Sequence, residues 1–518
     1  MIAEGSFGLR AVARPDVRPD PDEPPAGIAA STRAGLSVWV GLIAAAQVAV
    51  LLATSMRYGY HRDELYFIVA GSHLAFGYPD QPPLVPLLSS TMHALSTSLV
   101  LLRTPSALVA GATTILAALI ARELGGGTRA QVIAAGCTAS SGFALAISHL
   151  VSTSTYDLLS TTLLGWLAVR AVARDSGPSI LAAGVVVGLG LQAKPQVGLV
   201  AVVMAAMLIL IGPRSPVRSR WAVGGALCAV LLALPYLIWQ QQHGWPQLTV
   251  AGNIAGSQEG GRAGFFPFQL VMVSPLLVPV WIAGLRVPFC RPGWRDLRFL
   301  PVTFGTIAIL YFAGDGHAYY LASLYPTLLG LGALPAAQWT RRAPRRTWRL
   351  TSAIALSAAF SSVIALPLLP KRALQGSIVM ALNPAQGETV GWPRFVHTIL
   401  RAWRETPAPE RSHTAIFTSN YGEAGAIDVL GSPLGLPHAY SGHNGFSEWG
   451  TPPDTDTRAL LVGYHSASDA TPDFRQCRTL AIVNDGVGLS NQEQDLPVML
   501  CRPSEPWGTL WPQLTHYN

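Results

Sequence analysis

The sequence is most informative at residues 57–83, which read RYGYHRDELYFIVAGSHLAFGYPDQPP. This stretch directly follows the first long apolar segment, and it contains three carboxylates, Asp63, Glu64 and Asp80. Only 12% of the 518 residues are charged, so this density of charge beside an apolar segment is unusual. Carboxylates are costly near hydrocarbon, and an acidic cluster at that place therefore indicates a functional site.

The composition identifies the broad class of protein. Half of the residues (50%) are hydrophobic and only 12% are charged. Soluble domains carry roughly 25% charged residues, about twice the charged fraction found here. These values predict a polytopic membrane protein. The net charge of +7 comes from arginines in short runs between apolar segments, which is typical of loops that orient a membrane protein. We therefore expect no binding of nucleic acid.

Apolar segments of membrane-spanning length divide the first two thirds of the chain. The first is 36–55, and the others are 104–121, 130–148, 156–173, 179–193, 197–212, 221–239, 267–285, 299–314, 318–337 and 349–367. They predict a mainly α-helical membrane module over residues 36–369, with about 11 transmembrane helices (range about 10–13). The preceding residues 1–35 are rich in proline and charge, which predicts a disordered cytoplasmic arm.

The arginines predict the orientation of the module. With the N-terminus in the cytoplasm, each predicted inner loop carries at least two arginines. The outer loops of the module offer only a few basic residues, namely Arg57, Arg62, Arg103, Lys194 and Arg262. This pattern requires that residues 84–102 do not span, and their apolar stripe predicts a juxtamembrane helix on the outer face. Residues 56–103 then form one outer loop that contains the acidic stretch.

The last part of the chain has a different composition. Residues 370–518 are polar, with β-like runs at 415–418, 459–463 and 479–483 between helix-capable segments. They predict a small extracytoplasmic α/β domain. Of the five cysteines, Cys477 and Cys501 lie in this domain and can form a disulfide if it is outside the cytoplasm, which the sequence leaves open. The cysteine spacing indicates no metal site.

Further polar residues lie on the predicted outer face, and they are Asp157, Lys194, His243, His317, Tyr319 and Tyr320. Cations neutralise a phosphate and a carboxylate removes a proton from a nucleophile, so this set suits an anionic, lipid-borne substrate. Structural alternatives stay open: Asp80 can form an Asx turn, Asp157 can cap its helix, and Lys194 can snorkel. The tyrosines can be aromatic-belt residues.

The order of these motifs resembles the PMT/ArnT-like family of integral-membrane glycosyltransferases (glycosyltransferase family 39, GT-C fold). The resemblance rests on the pair Asp63–Glu64, YPDQPPL at 78–84, RTPSALVAG from Arg103, Asp157, GLGLQAKPQVGL around Lys194, and YYLASLYP from Tyr319. Residues 420–450 are similar to a bacterial branch of the family. One departure is Gln81, where the family often has a lysine or histidine before the proline pair.

The resemblance implies a GT-C-type bundle and an inverting sugar transfer at the outer face of the cytoplasmic membrane. The donor would be a polyprenyl-phosphate-linked sugar, and the acceptor hydroxyl would belong to a lipid, glycan or protein. Asp63 would be the general base and Glu64 would orient it or the acceptor. Donor phosphate binding would fall to Lys194, helped by Arg62, Arg103 or Tyr320, and the residues expected to support them are Asp80, Asp157, His243 and His317.

The C-terminal domain would shape the acceptor site, with His443, Asn444 and Trp449 as candidates. The resemblance implies no required cofactor and no metal ligand set, although a divalent cation at the acidic loop is left open. The sequence names neither the sugar nor the acceptor. Two other classes remain alternatives: a secondary transporter or lipid flippase, and a non-catalytic membrane receptor with an outer domain.

Overall fold

The structure, a computed structural model, describes residues 35–257 and 261–518. The predicted arm, residues 1–35, lies outside the described residues except for Gly35. Sixteen helices form the described part of the membrane module. They are α1 Val38–Thr54, α2 Arg62–Ser72, α3 Leu84–Leu95, α4 Leu99–Glu123, α5 Thr128–Ala139, α6 Gly142–His149, α7 Thr153–Arg174, α8 Gly177–Leu191, α9 Gln196–Ile211, α10 Arg220–Gln242, α11 Pro246–Ser257, α12 Gly261–Val273, α13 Val278–Cys290, α14 Phe299–Ala313, α15 Tyr325–Arg341 and α16 Pro344–Ala365.

Each predicted span has a helix, or a bent pair of helices, at its place. Within the described ranges, four helices are long and apolar enough to cross a membrane: α4, α10, α16, and α15 with the 3₁₀ turn before it. Counting the bent pairs α5–α6 and α12–α13 as one span each raises that number to six. Five further apolar helices have 10–17 residues. The mainly helical, multi-pass architecture is therefore confirmed, and the count of about 11 spans stays a prediction.

Two predicted segments differ from single straight helices. Residues 267–285 are broken at Ser274, which has a φ of 102°, and the flanking helices α12 and α13 meet at a bend of 80°. Pro275 follows the break, and because proline lacks an N–H group it cannot continue the hydrogen bonds of α12. The juxtamembrane stretch 84–102 is also divided, since α3 ends at Leu95 and Ser98 caps α4.

Small residues allow the module's helices to approach closely. A Cβ atom added to Gly184 of α8 would lie 2.0 Å from the carbonyl oxygen of Gly225 in α10. Any larger residue at position 184 would therefore force these helices apart. Close contact through small residues is a common way for membrane helices to pack, because lipid chains give no hydrophobic driving force between them.

The C-terminal domain contains a five-stranded mixed sheet. Its strands are β1 Thr414–Thr418, β2 Ala439–Ser441, β3 Arg458–Val462, β4 Phe474–Ile482 and β5 Pro497–Pro503, in the order β2-β1-β3-β5-β4. Strand β1 is parallel to β2 and β3, whereas β5 is antiparallel to β3 and β4. The helices of this region are α17 Ile378–Leu382, α18 Trp392–Glu405, α19 Ala408–Arg411, α20 Tyr421–Ala426 and α21 Trp507–Leu514.

The predicted β-like runs correspond to β1, β3 and the second half of β4. A disulfide joins Cys477 of β4 to Cys501 of β5, a pairing that the sequence had left open. Cys501 is fully buried beneath the sheet. The bond therefore fixes the edge strand β4 to the interior of the domain.

The domain docks on the outer acidic loop through α2. Leu65 and Tyr66 of α2 belong to the same buried apolar cluster as Ile416, Ala424 and Phe446 of the domain. All residues of α2 from Glu64 to Gly71 are buried, because the helix lies between the membrane module and the domain. The residues with charged side chains at its start consequently lie at the junction of the two parts.

Candidate functional site at the outer acidic loop

Helix α2 begins with a capping box that orients the two adjacent acids. The Nδ1 atom of His61 accepts a hydrogen bond from the Asp63 backbone N–H at 3.2 Å. The Glu64 carboxylate accepts from the His61 backbone N–H at 2.8 Å. This reciprocal arrangement satisfies two amides of the first turn that have no partner within the helix. It also directs Glu64 into the protein, with Asp63 left at the junction.

Glu64 is fully buried in a bidentate ion pair with Arg103 of α4. The Arg103 Nε and Nη2 atoms donate to the two carboxylate oxygens at 2.8 and 2.7 Å. Arg103 also donates to the carbonyls of Ser55 and Gly59, and the carboxylate also accepts from the N–H of Val151. Burial opposes ionisation of Glu64, but the Arg103 charge outweighs it and lowers the pKa of this carboxyl.

This ion pair connects the end of α1, the start of α2, α4 and the segment before α7. Both partners are engaged by protein groups, so they form a structural anchor for the loop. The expected help of Arg103 in binding the donor phosphate stays a prediction, and Arg103 also lines an apolar cavity of the membrane module. An orienting role for Glu64 does fit, because its capping bond fixes the turn that carries Asp63.

Asp63 has a different environment from its neighbour. Its side chain is 35% exposed, and its Oδ1 atom accepts a hydrogen bond from the Tyr421 hydroxyl at 2.9 Å. Tyr421 opens α20 of the C-terminal domain, so the contact joins the two parts of the molecule. The guanidinium of Arg62 and the imidazole of His61 each approach the carboxylate at 3.8 Å. The Asp63 carboxylate is thus accessible, lies near the side chains of Arg62 and His61, and accepts a hydrogen bond from the neutral hydroxyl of Tyr421.

Glu388 is a member of this site that sequence reasoning missed. Its carboxylate lies 2.9 Å from His61 Nε2 and 3.2 Å from Arg62 Nε. Burial opposes ionisation of Glu388, but the nearby His61 and the Arg62 charge lower its pKa. Although burial opposes protonation of His61, Asp63 and Glu388 raise the pKa of its imidazole. No motif or local spacing relates residue 388 to residues 61 and 62, so only the fold reveals the contact.

An apolar cavity of about 550 Å³ lies beside these groups. Its apolar wall comes mainly from three helices of the membrane module, and includes Phe143, Ala146 and Ile147 of α6, Phe268 and Met272 of α12, and Ile364 of α16. The same cavity is lined by Asp63, Arg62, His61 and Glu388. A mostly apolar cavity with a few convergent polar groups is typical of a ligand site.

Lys194, Asp157 and Tyr320 lie together next to the apolar cavity. The Lys194 ammonium donates to Ser154 Oγ at 2.7 Å and lies 4.9 Å from the centre of the Tyr320 ring. Ser154 and Tyr319 line the apolar cavity, and Tyr319 also lies under the ammonium. Asp157 does not cap α7, because Ser152 occupies that position. It accepts a hydrogen bond from Thr161 inside the helix.

Asp80 lies at the docking surface of the C-terminal domain. Its Oδ1 atom accepts from the Tyr66 hydroxyl at 2.7 Å, and that hydroxyl in turn accepts from the Gly445 N–H at 3.1 Å. Burial is the main cause that raises the pKa of Asp80 to about 7. Asp80 therefore supports the junction and is not among the residues lining the apolar cavity.

The other residues predicted for support or acceptor binding lie in different parts of the structure. His243 stacks on Trp239 of α10, with ring centres 4.0 Å apart. Trp449 stacks on His73, with centres 4.4 Å apart, and packs against Tyr66 in the aromatic cluster at the junction. Asn444 donates to the backbone of Asn518. Of the residues predicted for support or acceptor binding, His317 and His443 line a second cavity.

This second cavity, the polar cavity, has a volume of about 670 Å³ and lies between the C-terminal domain and the outer loops. Arg62 lines both cavities. Tyr421 lines the polar cavity and donates to Asp63, which lines the apolar one. Asp63 therefore lies in the wall of the apolar cavity and contacts a residue that lines the polar one.

The described residues include no group of three or more His, Cys, Asp or Glu side chains arranged to hold a metal ion. The Asp63 region combines carboxylates with Arg62 and His61, which leaves its charges balanced by protein cations. The expectation that no cofactor is required stays a prediction.

Comparison with known proteins adds a family and a fold. Residues 80–239 match the family model described as dolichyl-phosphate-mannose-protein mannosyltransferase. This segment includes Asp80, Asp157 and Lys194. The curated proteins contain no match.

The structure resembles solved structures of ArnT and of an arabinofuranosyltransferase. ArnT from Cupriavidus metallidurans bound to undecaprenyl phosphate aligns with a TM-score of 0.55 and 11% identity, over 91% of this chain and 99% of that one. Its apo structure gives a TM-score of 0.53 and 12% identity, over 90% and 98% of the two chains. The arabinofuranosyltransferase AftD from Mycobacteria gives 0.53 and 14%, over 91% of this chain and 40% of AftD. The resemblance read from the sequence is thus confirmed in two respects: residues 80–239 match a PMT-type family model, and the fold is the GT-C-like fold of ArnT.

Proposed function

We propose that this protein is a membrane glycosyltransferase that moves a sugar from a polyprenyl-phosphate carrier to an acceptor hydroxyl, with inversion at the anomeric carbon. The observation that carries the proposal is the position of Asp63. Its carboxylate is accessible and lines an apolar cavity in the membrane module, and it accepts a hydrogen bond from Tyr421, which lines a polar cavity beneath the C-terminal domain.

The apolar cavity suits the donor. Its wall of aliphatic and aromatic side chains matches the isoprenoid part of a lipid carrier, because burying apolar surface is favourable. ArnT, which has the same fold, is bound to undecaprenyl phosphate in its solved structure. Arg62 lines the cavity, and Lys194 contacts its wall through Ser154. These two cations would neutralise the donor phosphate, the guanidinium by its paired hydrogens and the ammonium as a point charge.

The chemistry then follows from the position of the base. Asp63 removes the proton from the acceptor hydroxyl while the acceptor oxygen forms a bond to the anomeric carbon of the sugar. The bond between that carbon and the phosphate oxygen breaks, and the polyprenyl phosphate leaves with the electron pair. Arg62 and Lys194 stabilise the charge on the leaving phosphate. The proposal requires neither a nucleotide nor a metal ion.

We further propose that the site faces the outer side of the cytoplasmic membrane, with the N-terminus in the cytoplasm. The arginine-rich loops support this orientation, since basic loops remain inside. The Cys477–Cys501 disulfide supports it independently, because disulfides persist in oxidising compartments. Whether the transferred sugar is a hexose or a pentose is left to experiment.

The test uses purified protein in nanodiscs with a panel of radiolabelled polyprenyl-phosphate sugars and an envelope extract as acceptor. We expect transfer from one donor, and a loss of at least about a hundredfold in Asp63→Asn, in line with removal of a general base. Asp315→Asn is the matched control. Asp315 is also an acid of an outer turn, but it pairs with Arg262 on the surface. Equal activity in Asp63→Asn and wild type would refute the role of Asp63.

A further inference from the structure

We propose that the polar cavity binds the acceptor and that the acceptor group is a neutral, polyhydroxylated sugar ring at the end of a glycan. This inference rests on the proposed function and deepens it by naming the acceptor class. The same ring chemistry occurs in a free glycan and in a lipid-linked glycan, and the experiment below separates these two sources.

The first support is the chemical character of the wall. Its described lining contains five side-chain amides: Asn253, Asn420, Gln492, Gln513 and Asn518. Hydroxyl and imidazole groups add to them, and three aromatic rings complete the wall. Amides and imidazoles both donate and accept hydrogen bonds, and this dual character matches the hydroxyl groups of a sugar. An alkyl chain or an apolar peptide side chain would cover this polar wall without adding hydrogen bonds.

The second support is a buried polar atom without a partner. His443 is only 7% exposed, and its Nδ1 atom makes no hydrogen bond within the described structure. Buried polar groups are nearly always paired, so this nitrogen suits a hydrogen bond to a ligand of the cavity that His443 lines. Burial and the neighbouring His516 lower the pKa of His443 to about 3, which keeps the ring neutral. Nε2 faces the Oδ1 atom of Asn518, an acceptor, so Nε2 carries the proton and Nδ1 remains to accept a hydrogen bond from a hydroxyl.

Charge argues against an anionic or a cationic acceptor. Among the described lining residues Arg62 is the single lysine or arginine, and none is an aspartate or glutamate. Arg62 lies 3.2 Å from Glu388 and donates to the amide oxygen of Gln492 at 2.8 Å. The proposed function assigns its charge to the donor phosphate in the apolar cavity, which Arg62 also lines. The polar cavity therefore presents neutral hydrogen-bonding groups to its occupant.

The side chain of Tyr421 connects this cavity to the base. The Tyr421 ring packs against the His443 ring with centres 4.7 Å apart, and its hydroxyl donates to Asp63 at 2.9 Å. A sugar that contacts His443 can therefore present a second hydroxyl near the Asp63 carboxylate. This arrangement puts acceptor recognition and acceptor deprotonation in adjacent parts of one site.

The experiment measures binding and transfer separately on the full chain in nanodiscs. The probes are short oligomers of mannose, glucose and arabinofuranose, each free and linked to a polyprenyl anchor, and serine- and threonine-containing peptides. Saturation-transfer NMR measures binding of the free oligomers and peptides without any donor, and competition by the anchored oligomers measures theirs. We expect at least one oligomer to bind, and we expect the peptides not to bind.

The variant His443→Phe keeps the aromatic packing and removes the imidazole nitrogens. We expect its affinity for the bound oligomer to fall about tenfold, as is typical for loss of one buried hydrogen bond. Its affinity for the polyprenyl-phosphate donor should be unchanged. His438→Phe is the matched control, because His438 lies on the same domain, pairs with Asp428 and is not among the cavity's lining residues.

Several results would overturn the inference: binding of peptides in place of oligomers, no oligomer binding to wild type, or equal affinity in wild type and His443→Phe. Binding only by the anchored oligomers would identify a lipid-linked glycan, and equal binding by both forms would identify the sugar alone as the recognised part. Failure of the proposed function gives a different pattern, since oligomers would bind without transfer from any donor.

Discussion

Replacing each of the adjacent acids Asp63 and Glu64 with its amide should have two different effects, one on activity and one on stability. In Glu64→Gln one carboxylate oxygen becomes an NH₂ group. Each oxygen of Glu64 accepts two bonds, one from Arg103 and one from a backbone N–H, of Val151 for Oε1 and of His61 for Oε2. Whichever oxygen is replaced, the new NH₂ group faces two donors. We therefore expect Glu64→Gln to destabilise the protein strongly.

The magnitude follows from the burial of the pair. Glu64 is 0% exposed and Arg103 is 1% exposed, so the substitution leaves a guanidinium charge inside the protein without its counter-charge. Breaking such a pair costs about 3–5 kcal/mol. With an unfolding entropy of about 2.1 cal/mol/K per residue over roughly 500 residues, this corresponds to a Tm lower by about 3–5 °C. Asp63→Asn keeps an acceptor for Tyr421 at a partly exposed site, and its Tm should change by less than about 1 °C.

The assay is thermal unfolding in nanodiscs at one fixed scan rate, followed by tryptophan fluorescence, together with sugar transfer. A fixed scan rate is needed because large proteins often unfold irreversibly. Arg103→Lys is a useful third variant, since it keeps the charge but loses the paired geometry, and its Tm should fall by an intermediate amount. A wild-type Tm in Glu64→Gln combined with loss of transfer would refute this reasoning and would place Glu64 in the chemistry.

Three further predictions concern separate parts of the molecule. Burial raises the pKa of Asp80 to about 7 from 3.8, so the folded state binds the proton more tightly than the unfolded state does. Stability should therefore fall as pH rises from 4 to 7. Asp80→Asn should flatten that fall in pH-dependent melting curves. Lys194→Met should raise the KM for the donor at least about tenfold, with a smaller rise in Lys194→Arg, in steady-state transfer assays. Replacing both Cys477 and Cys501 with serine should destabilise the C-terminal domain by about 3 kcal/mol, given the 24-residue separation, as measured by denaturant unfolding or limited proteolysis.

Much of the fold could be predicted from local properties of the sequence. Apolar runs located a helix at each predicted span, because hydropathy and helical length are properties of contiguous residues. The breaks were harder to predict. Residues 267–285 bend by 80° at Ser274, where the flanking prolines mark the place but do not determine the angle. The packing of the C-terminal domain against α2 has no local signature.

For the candidate site, too, some features depend on neighbouring residues and others on tertiary packing. The sequence by itself determined the density of polar groups in residues 57–83, the order of the family motifs and the candidacy of Asp63, since each depends on neighbouring residues. Only the tertiary structure decided that Glu64 is an anchor for Arg103 while Asp63 meets Tyr421. It also brought Glu388 to His61 and left the Nδ1 atom of His443 without a hydrogen bond. These contacts join residues far apart in the chain, and packing of whole elements, which no local spacing encodes, determines which of them meet.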